Sequence, residues 1–182
     1  MDLVLAISGL HGSGKSTYAR ALAKTYGLRL VSAGELFRRI AKERSLTLEQ
    51  LTEEAKKNLE IDRLIDGMTA QEATKGNVVL DGQLSAWMSK DKADVKIFFT
   101  APDDVRFGRI ARRDKMSIEE AKRQTLMREA VQKERFMQLY GIDPSDLSIY
   151  DVIFDTNLQS IEENIKILKG IISEYVAEEG KK

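Results

Sequence analysis

The chain has 182 residues, enough for one domain with a buried core. Its 29 Lys+Arg balance 29 Asp+Glu, so no stable nucleic-acid partner is expected from net charge and any anion site must be local. Cysteine is absent, which excludes disulfides and thiolate zinc sites. The opening apolar run is too short for a signal peptide or a membrane span, so a cytoplasmic, membrane-free monomer is the expectation.

Leu3-Val4-Leu5-Ala6-Ile7-Ser8 reads as a buried parallel strand. It runs into Gly9-Leu10-His11-Gly12-Ser13-Gly14-Lys15-Ser16-Thr17, which satisfies the phosphate-loop pattern G-x-x-x-x-G-K-[ST]. The glycines allow a turn tight enough for successive N–H groups to converge on a phosphate. Lys15 adds a mobile positive charge, Ser16 offers a hydroxyl to Mg²⁺, and the helix starting near Gly14 aims its positive end at the same anion. A dinucleotide fingerprint does not fit, because a third glycine is missing. His11 is the sole histidine and is read as a loop member whose side chain faces away from the phosphates.

Gly27 caps the first helix, and Leu28 to Val31 forms a second strand leading into Ser32-Ala33-Gly34-Glu35. From Leu36 the chain turns helical, with Arg38, Arg39, Lys42 and Arg44 close behind a strand end, where open α/β sheets bind ligands. A solvated face paired to Glu35 and Glu43 is the alternative for these charges. Leu46 to Lys75 reads as two helices: a capping box at Thr47-Leu48-Glu49-Gln50 precedes a stripe of Leu48, Leu51, Ala55 and Leu59, and Ile61, Leu64, Ile65 and Met68 form another. After Gly76, Asn77-Val78-Val79-Leu80-Asp81-Gly82 is a strand ending on an acid that can hold Mg²⁺, although Asp-Gly is also a common turn dipeptide. Trp87 is read as packing.

Val95 to Thr100 is the fourth strand, and Pro102 suits the first turn of the helix after it. Arg106, Arg109 and Arg113 share a face of that helix. A capping box at Ser117-Ile118-Glu119-Glu120 starts a long helix on which Arg128 and Arg135 point the same way. Arginine forks suit phosphate oxygens, so the set is read as a phosphate clamp against the alternative of a bland charged surface. Ile149 to Thr156 supplies a fifth strand, and Ser160 caps a last helix with a buried stripe of Ile161, Ile165, Leu168 and Ile172 and a tail fraying from Glu178. Five strands alternating with helices define an α/β phosphate-loop (P-loop) NTPase fold, three layers around a five-stranded parallel sheet, with the nucleotide at the strands' C-terminal ends.

Two phosphorylated molecules brought end to end repel, so a phosphate-to-phosphate kinase must line the gap with cations. The three basic segments meet that demand. An acceptor phosphate oxygen is already ionised at neutral pH and needs no general base. No N-K-x-D element selects guanine, since Thr156-Asn157-Leu158-Gln159 fills the loop after the fifth strand. ATP is therefore the expected donor.

The whole layout resembles the nucleoside monophosphate kinases, and within them the archaeal-type cytidylate kinases. The resemblance is carried by Gly9 to Thr17, Ser32-Ala33-Gly34-Glu35-Leu36-Phe37-Arg38, Val78-Val79-Leu80-Asp81-Gly82, Ala86-Trp87-Met88, Arg109-Ile110-Ala111-Arg112-Arg113, Arg128-Glu129, Tyr140-Gly141-Ile142-Asp143 and Leu147-Ser148-Ile149-Tyr150-Asp151. It implies one kinase domain over 1–182, with a monophosphate-binding helical insertion at about 33–75 and a lid at about 112–141. It implies transfer from ATP, with Mg²⁺, to CMP or dCMP. Lys15, Arg109, Arg113, Arg128 and Arg135 would act on the transferring phosphoryl group, the last four from the lid. Ser32, Arg38, Asp81, Gly82 and Gln83 would bind the acceptor, and Ser16 and Asp81 the metal. The family pattern has an arginine where this chain has Gln83, which can hydrogen-bond but carries no charge. Adenylate or uridylate/cytidylate kinase activity, or a P-loop ATPase or assembly factor without kinase activity, are the alternatives.

Overall fold

The computed structural model describes residues 2–179. In chain order the elements are β1 (Val4–Gly9), α1 (Lys15–Tyr26), β2 (Arg29–Ser32), α2 (Ala33–Glu43), α3 (Leu48–Lys57), α4 (Glu60–Thr74), β3 (Val78–Asp81), α5 (Ser85–Ser89), β4 (Val95–Thr100), α6 (Asp103–Asp114), α7 (Ile118–Tyr140), β5 (Val152–Asp155) and α8 (Ile161–Glu179). The strands form one parallel sheet in the order β2-β3-β1-β4-β5. Fraying from Glu178 falls on the tail, whose side chains lie outside the described residues.

Alternation along the strands builds a core on each face of the sheet. Leu5, Ile7 and Val79 pack with Leu22, Leu168 and Ile172 under α1 and α8. Val4, Val78 and Leu80 point the other way and meet Ala73 of α4. Both faces are thus covered, as a parallel sheet requires. A separate cluster of Leu36, Ala41, Leu51, Ala55, Ile61 and Ile65 holds α2, α3 and α4 together.

Register decides where the chemistry sits. Ile7 and Ser32 both pair with Asp81, so β1, β2 and β3 end side by side. The loop after β1 opens into the crevice at this edge.

Local signals account for the helix ends. Ser32 caps α2, taking a hydrogen bond from the Glu35 amide at 3.4 Å. Thr47 and Gln50 close a reciprocal capping box at α3, and Ser160 and Glu163 exchange bonds at the start of α8. Pro102 stands just before α6 rather than inside its first turn. The buried stripes differ from expectation. Leu48, Leu64, Met68 and Ile161 are exposed, because α4 turns its Asp62, Thr69 and Ala73 side inward and α8 buries Asn164. The Asn164 amide NH₂ donates to the Tyr18 hydroxyl at 2.9 Å and to the Thr156 carbonyl at 3.2 Å, while its Oδ1 is buried without a partner among the described residues. The short helix α5 has no periodic signal of its own. It places Trp87 edge-on against Tyr150, ring centroids 5.5 Å apart.

Gly9 ends β1 with φ +150°, and a Cβ there would collide with the Phe99 carbonyl of β4. Gly9→Ala is expected to lower unfolding free energy in urea by about 2 kcal/mol or more; a loss under about 0.5 kcal/mol would contradict this packing.

Candidate active site

The loop between β1 and α1 is braced from outside by its carbonyls. Arg106 Nη1 donates to the His11 carbonyl at 2.7 Å. Arg109 Nη1 reaches the carbonyls of Gly12 at 3.4 Å and Ser13 at 3.3 Å, and the Thr156 hydroxyl donates to Ser13 at 2.6 Å. With those carbonyls turned outward, the amides of Gly12 and Gly14 find no acceptor among the described residues. Gly14 is left-handed at φ +87° and starts α1, whose first amides are unsatisfied by construction. Together these groups form a nest of N–H donors suited to phosphate.

Lys15 lies half-buried at the head of α1. Burial lowers its pKa, with Arg128 and Arg113 acting the same way, while Asp81 and Glu129 favour the charged form. The β2 and β3 ends contribute Ser32 and Asp81: the Ser32 hydroxyl donates to Asp81 Oδ2 at 3.0 Å. The other oxygen, Asp81 Oδ1, is buried with no hydrogen-bond partner among the described residues. Gly82 lets β3 approach α2 closely; a Cβ there would stand 2.9 Å from the Ala33 Cβ.

A cleft of about 160 Å³ joins these groups to α2, α4 and α7. Its walls include Lys15, Ser16, Ser32, Arg38, Asp81 and Gln83 on one side and Arg113, Arg128, Gln132 and Arg135 on the other. That volume is below the roughly 300 Å³ of the smaller ligand pockets.

The arginines around the cleft do not behave alike. Arg38 and Arg128 line the cleft without a carboxylate or hydrogen-bond partner among the described residues. Much of the Arg128 side chain meets solvent, yet desolvation of its head, followed by Arg113, Arg38 and Arg135, lowers its pKa. Arg113 also lines the cleft but is forked onto Asp114 at 2.7 and 2.6 Å. Arg135 is a correction to the free clamp expected of it. It is buried and bidentate to Asp62, with Nε 2.9 Å from Oδ2 and Nη2 on Oδ1. Arg109 is a second correction: it belongs to α6 rather than a lid, lies outside the cleft wall, and spends its fork on the loop carbonyls and on Thr156 Oγ1 at 2.8 Å. Arg106 is almost fully buried, held by Asp103 and by Glu129 Oε1 at 2.8 Å, and so pins the loop rather than facing phosphate.

His11 also differs from its expected outward orientation. Its ring lines the cleft, with Nε2 2.7 Å from Gln132 Oε1 and 3.2 Å from Gln83 Nε2. Burial first, then Arg128, Lys15 and Arg106, push its pKa well below the usual value, so it is neutral at physiological pH. Within the loop, Leu10 is tied to β4 through the Phe99 carbonyl at 3.3 Å, and the Thr17 amide bonds to Gly14 at 2.8 Å.

Sequence reasoning missed Gln132, Asp62 and Asp66, and it named Glu129 and Tyr140 within motifs without giving either a role. Glu129 takes hydrogen bonds from both the His11 amide at 3.1 Å and Arg106. Asp66 Oδ2 accepts from the Tyr140 hydroxyl at 3.0 Å. Burial lifts the Asp66 pKa to about 6, with Asp62 adding to the rise and the Tyr140 bond and Arg135 opposing it. A usable signal existed for the two aspartates: they interrupt the apolar stripe of α4 one turn apart, beside Ile61 and Ile65.

The fold and the amide nest define a P-loop kinase architecture. Solved structures share it: shikimate kinase from Bacteroides thetaiotaomicron aligns at TM-score 0.63 with 16% identity, covering 94% of this chain and 98% of that one. A gluconokinase from Sinorhizobium meliloti aligns at 0.60 and 14%, covering 95% and 93%. Residues 4–158 match the model of the cytidylate kinase-like family, and the chain belongs to that family. Similar curated proteins are the cytidylate kinases of Staphylothermus marinus, 47% identical over 97% of this chain and 99% of that protein, and of Ignicoccus hospitalis, 46% over 93% and 98%. No helix among the described residues is long and apolar enough to cross a membrane.

An acid whose folded pKa exceeds its ordinary 3.8 binds its proton more tightly when folded, so it costs nothing below that value. The cost appears as pH rises above 3.8, grows until about 6 and is constant above that. Asp66→Asn should therefore raise stability at pH 8 by about 1–2 kcal/mol in urea unfolding and give almost no gain at pH 4. An equal effect at both pH values would contradict the burial of this carboxylate.

Proposed function

We propose that this chain is an ATP-dependent cytidylate kinase that transfers the γ-phosphoryl group of ATP to CMP or dCMP, giving ADP and CDP or dCDP. The observation that carries the reading is the pair Arg38 and Arg128, two unpartnered guanidinium groups lining the cleft together with Lys15. A cleft that concentrates unpaired positive charge beside an amide nest is suited to a second phosphate in addition to the first. The family relationship supplies the base: the relatives are named cytidylate kinases.

In this mechanism the triphosphate of ATP occupies the loop Gly9 to Thr17, with Arg109 and Thr156 holding the loop's shape. The acceptor phosphate lies against Ser32, Gly82, Gln83 and Arg38. Its oxygen is already ionised, so the γ-phosphorus is attacked without a general base: the new P–O bond forms at the acceptor as the bond to the β-phosphate oxygen breaks. Lys15 follows the moving charge, and Arg128 and Arg113 neutralise it from α7 and the end of α6. Closing α7 over the cleft excludes water, so transfer outruns hydrolysis. Arg135 contributes through its Asp62 bridge, which joins α7 to α4.

The buried, unpartnered Asp81 Oδ1 and the Ser16 hydroxyl fit a hard divalent cation. No cluster of three His, Cys, Asp or Glu stands ready for a metal among the described residues, and Mg²⁺ typically takes one or two carboxylates with phosphate oxygens and water. Bound there, Mg²⁺ would offset phosphate charge and fix its orientation.

A coupled assay of ADP release across CMP, dCMP, UMP, AMP and GMP tests the reading. CMP or dCMP should lead in kcat/KM by about tenfold or more, a difference of ~1.4 kcal/mol in transition-state binding. AMP as the best acceptor, or ATP hydrolysis indifferent to every monophosphate, would overturn it. Lys15→Ala should cut kcat about 10²-fold or more, whereas Arg38→Ala should act mainly on KM for the monophosphate. A change confined to KM for ATP in the second variant would reverse the two phosphate assignments.

A further inference from the structure

Arg128 has no side-chain partner to aim it. It is exposed and lacks an acid or a hydrogen-bond acceptor among the described residues, so the course of α7 decides where its guanidinium reaches. Further along, α7 is tied to α4 through Arg135 and Asp62. Close to Arg128 it is tied to the phosphate loop, and the loop residue it grips is His11. Glu129 Oε1 accepts from the His11 amide at 3.1 Å, and Gln132 Oε1 lies 2.7 Å from His11 Nε2. Gln132 stands at i+4 from Arg128 and at i+3 from Glu129, spacings that make each pair neighbours on the helix surface. The Glu129 contact uses the main chain and is open to any residue at position 11. The Gln132 contact needs the imidazole. Burial, then Arg128, Lys15 and Arg106, keep that ring neutral, so it carries one N–H. Gln132 Oε1 can only accept, which puts the proton on Nε2. The same nitrogen then cannot accept from Gln83 Nε2, 3.2 Å away, and the Gln83 amide hydrogens are left for an acceptor phosphate.

We propose that His11 is a positioning residue for phosphoryl transfer: its Nε2–H, bonded to Gln132 Oε1, docks α7 on the phosphate loop and so sets Arg128 over the amide nest. This assignment rests on the cytidylate kinase reading above and adds to it what holds an unpaired guanidinium at the reacting phosphate.

The chemistry of the bridge suits that task. Among the charges acting on the His11 ring, Arg128 is felt more strongly than Lys15 or Arg106, and Arg128 acts in turn on Lys15. Imidazole, ammonium and guanidinium therefore form one group at the head of α1. A carboxylate in place of the ring would pair with Arg128 and occupy it, and a cation would repel it. A neutral donor meeting a neutral amide docks the helix while the charge of Arg128 stays unspent for phosphate. The geometry is demanding, because a displacement of about 1 Å in a group that acts on the transition state can cost 10²-fold in rate.

The main chain of residue 11 keeps its bonds to Glu129 and Arg106 when the side chain changes, so the ring's hold on α7 can be removed while the loop is kept. The test is steady-state kinetics with ATP and CMP for wild type, H11A, Q132M, R128A and the double variants H11A/R128A and Q132M/R128A. H11A and Q132M should each lower kcat about tenfold or more, with KM for both nucleotides within about threefold of wild type. In the R128A background either change should cost at most about twofold more, because the group it aims is gone. H11Q, whose amide nitrogen can stand where Nε2 stands, should recover most of the loss. A kcat unaffected by H11A and Q132M, losses that multiply in the double variants, or an H11Q no better than H11A would overturn the assignment. Nitrogen NMR of this sole imidazole gives a readout independent of turnover: the proton should sit on Nε2, and a proton on Nδ1 would overturn the bridge to Gln132. A wild-type enzyme without CMP-dependent ADP release would sink the kinase reading instead, with the imidazole proton still deciding whether His11 holds α7.

Discussion

Mutual repulsion among cations organises this molecule. Lys15, Arg38, Arg113, Arg128 and Arg135 converge on one cleft, where burial first, and neighbouring cations after it, lower the pKa values of Lys15 and Arg128. A cluster of this kind persists because carboxylates are interleaved with it. Asp62 takes Arg135, Asp114 takes Arg113, and Asp81 supports Lys15. Arg38 and Arg128 remain without an acid partner among the described residues. The empty charge is what a pair of phosphorylated molecules would relieve, since binding energy spent on neutralising the gap is largest where charge develops in the transition state.

The same logic explains why the phosphate loop, α6 and α7 form one device. Arg106 is buried between the His11 carbonyl, Asp103 and Glu129, and Glu129 returns to the His11 amide. Through these contacts α6 and α7 are joined to the phosphate loop. The Arg135–Asp62 pair joins α7 to α4 across the cleft, and α2, α3 and α4 carry their own small core. Each wall is internally cohesive while polar bridges hold them to one another.

Much of the scaffold was legible in the chain because its signals are local. Val95 to Thr100 is a largely apolar strand, broken by Lys96 and bounded by Asp94 and Ala101-Pro102, and its ends were read as they stand in β4. Thr47 with Gln50, Ser117 and Ser160 mark helix starts through bonds made within three residues. The phosphate loop was equally plain, since its glycines, lysine and following helix are contiguous. The orientation of the long side chains was not. Arg109, Arg113, Arg128 and Arg135 form readable helical stripes, but a stripe does not say which acid faces it. Asp62 is 73 positions from Arg135, and only the docking of α7 on α4 brings them together. His11 shows the same limit: Gln83 and Gln132 draw its ring into the cleft. The exposure of Leu64 and Met68 has a related cause, for the buried ion pair at Asp62 rotates α4 away from its most apolar face.

The most direct measurement of a cleft shaped for two nucleotides in line is the affinity of one molecule spanning both sites, adenosine and cytidine joined 5′ to 5′ through five phosphates. Calorimetry should find it binding at least about 10²-fold more tightly than ATP or CMP alone, with much of that advantage lost in Arg128→Ala. Affinity no greater than that of ATP, unaffected by removing Arg128, would contradict the account.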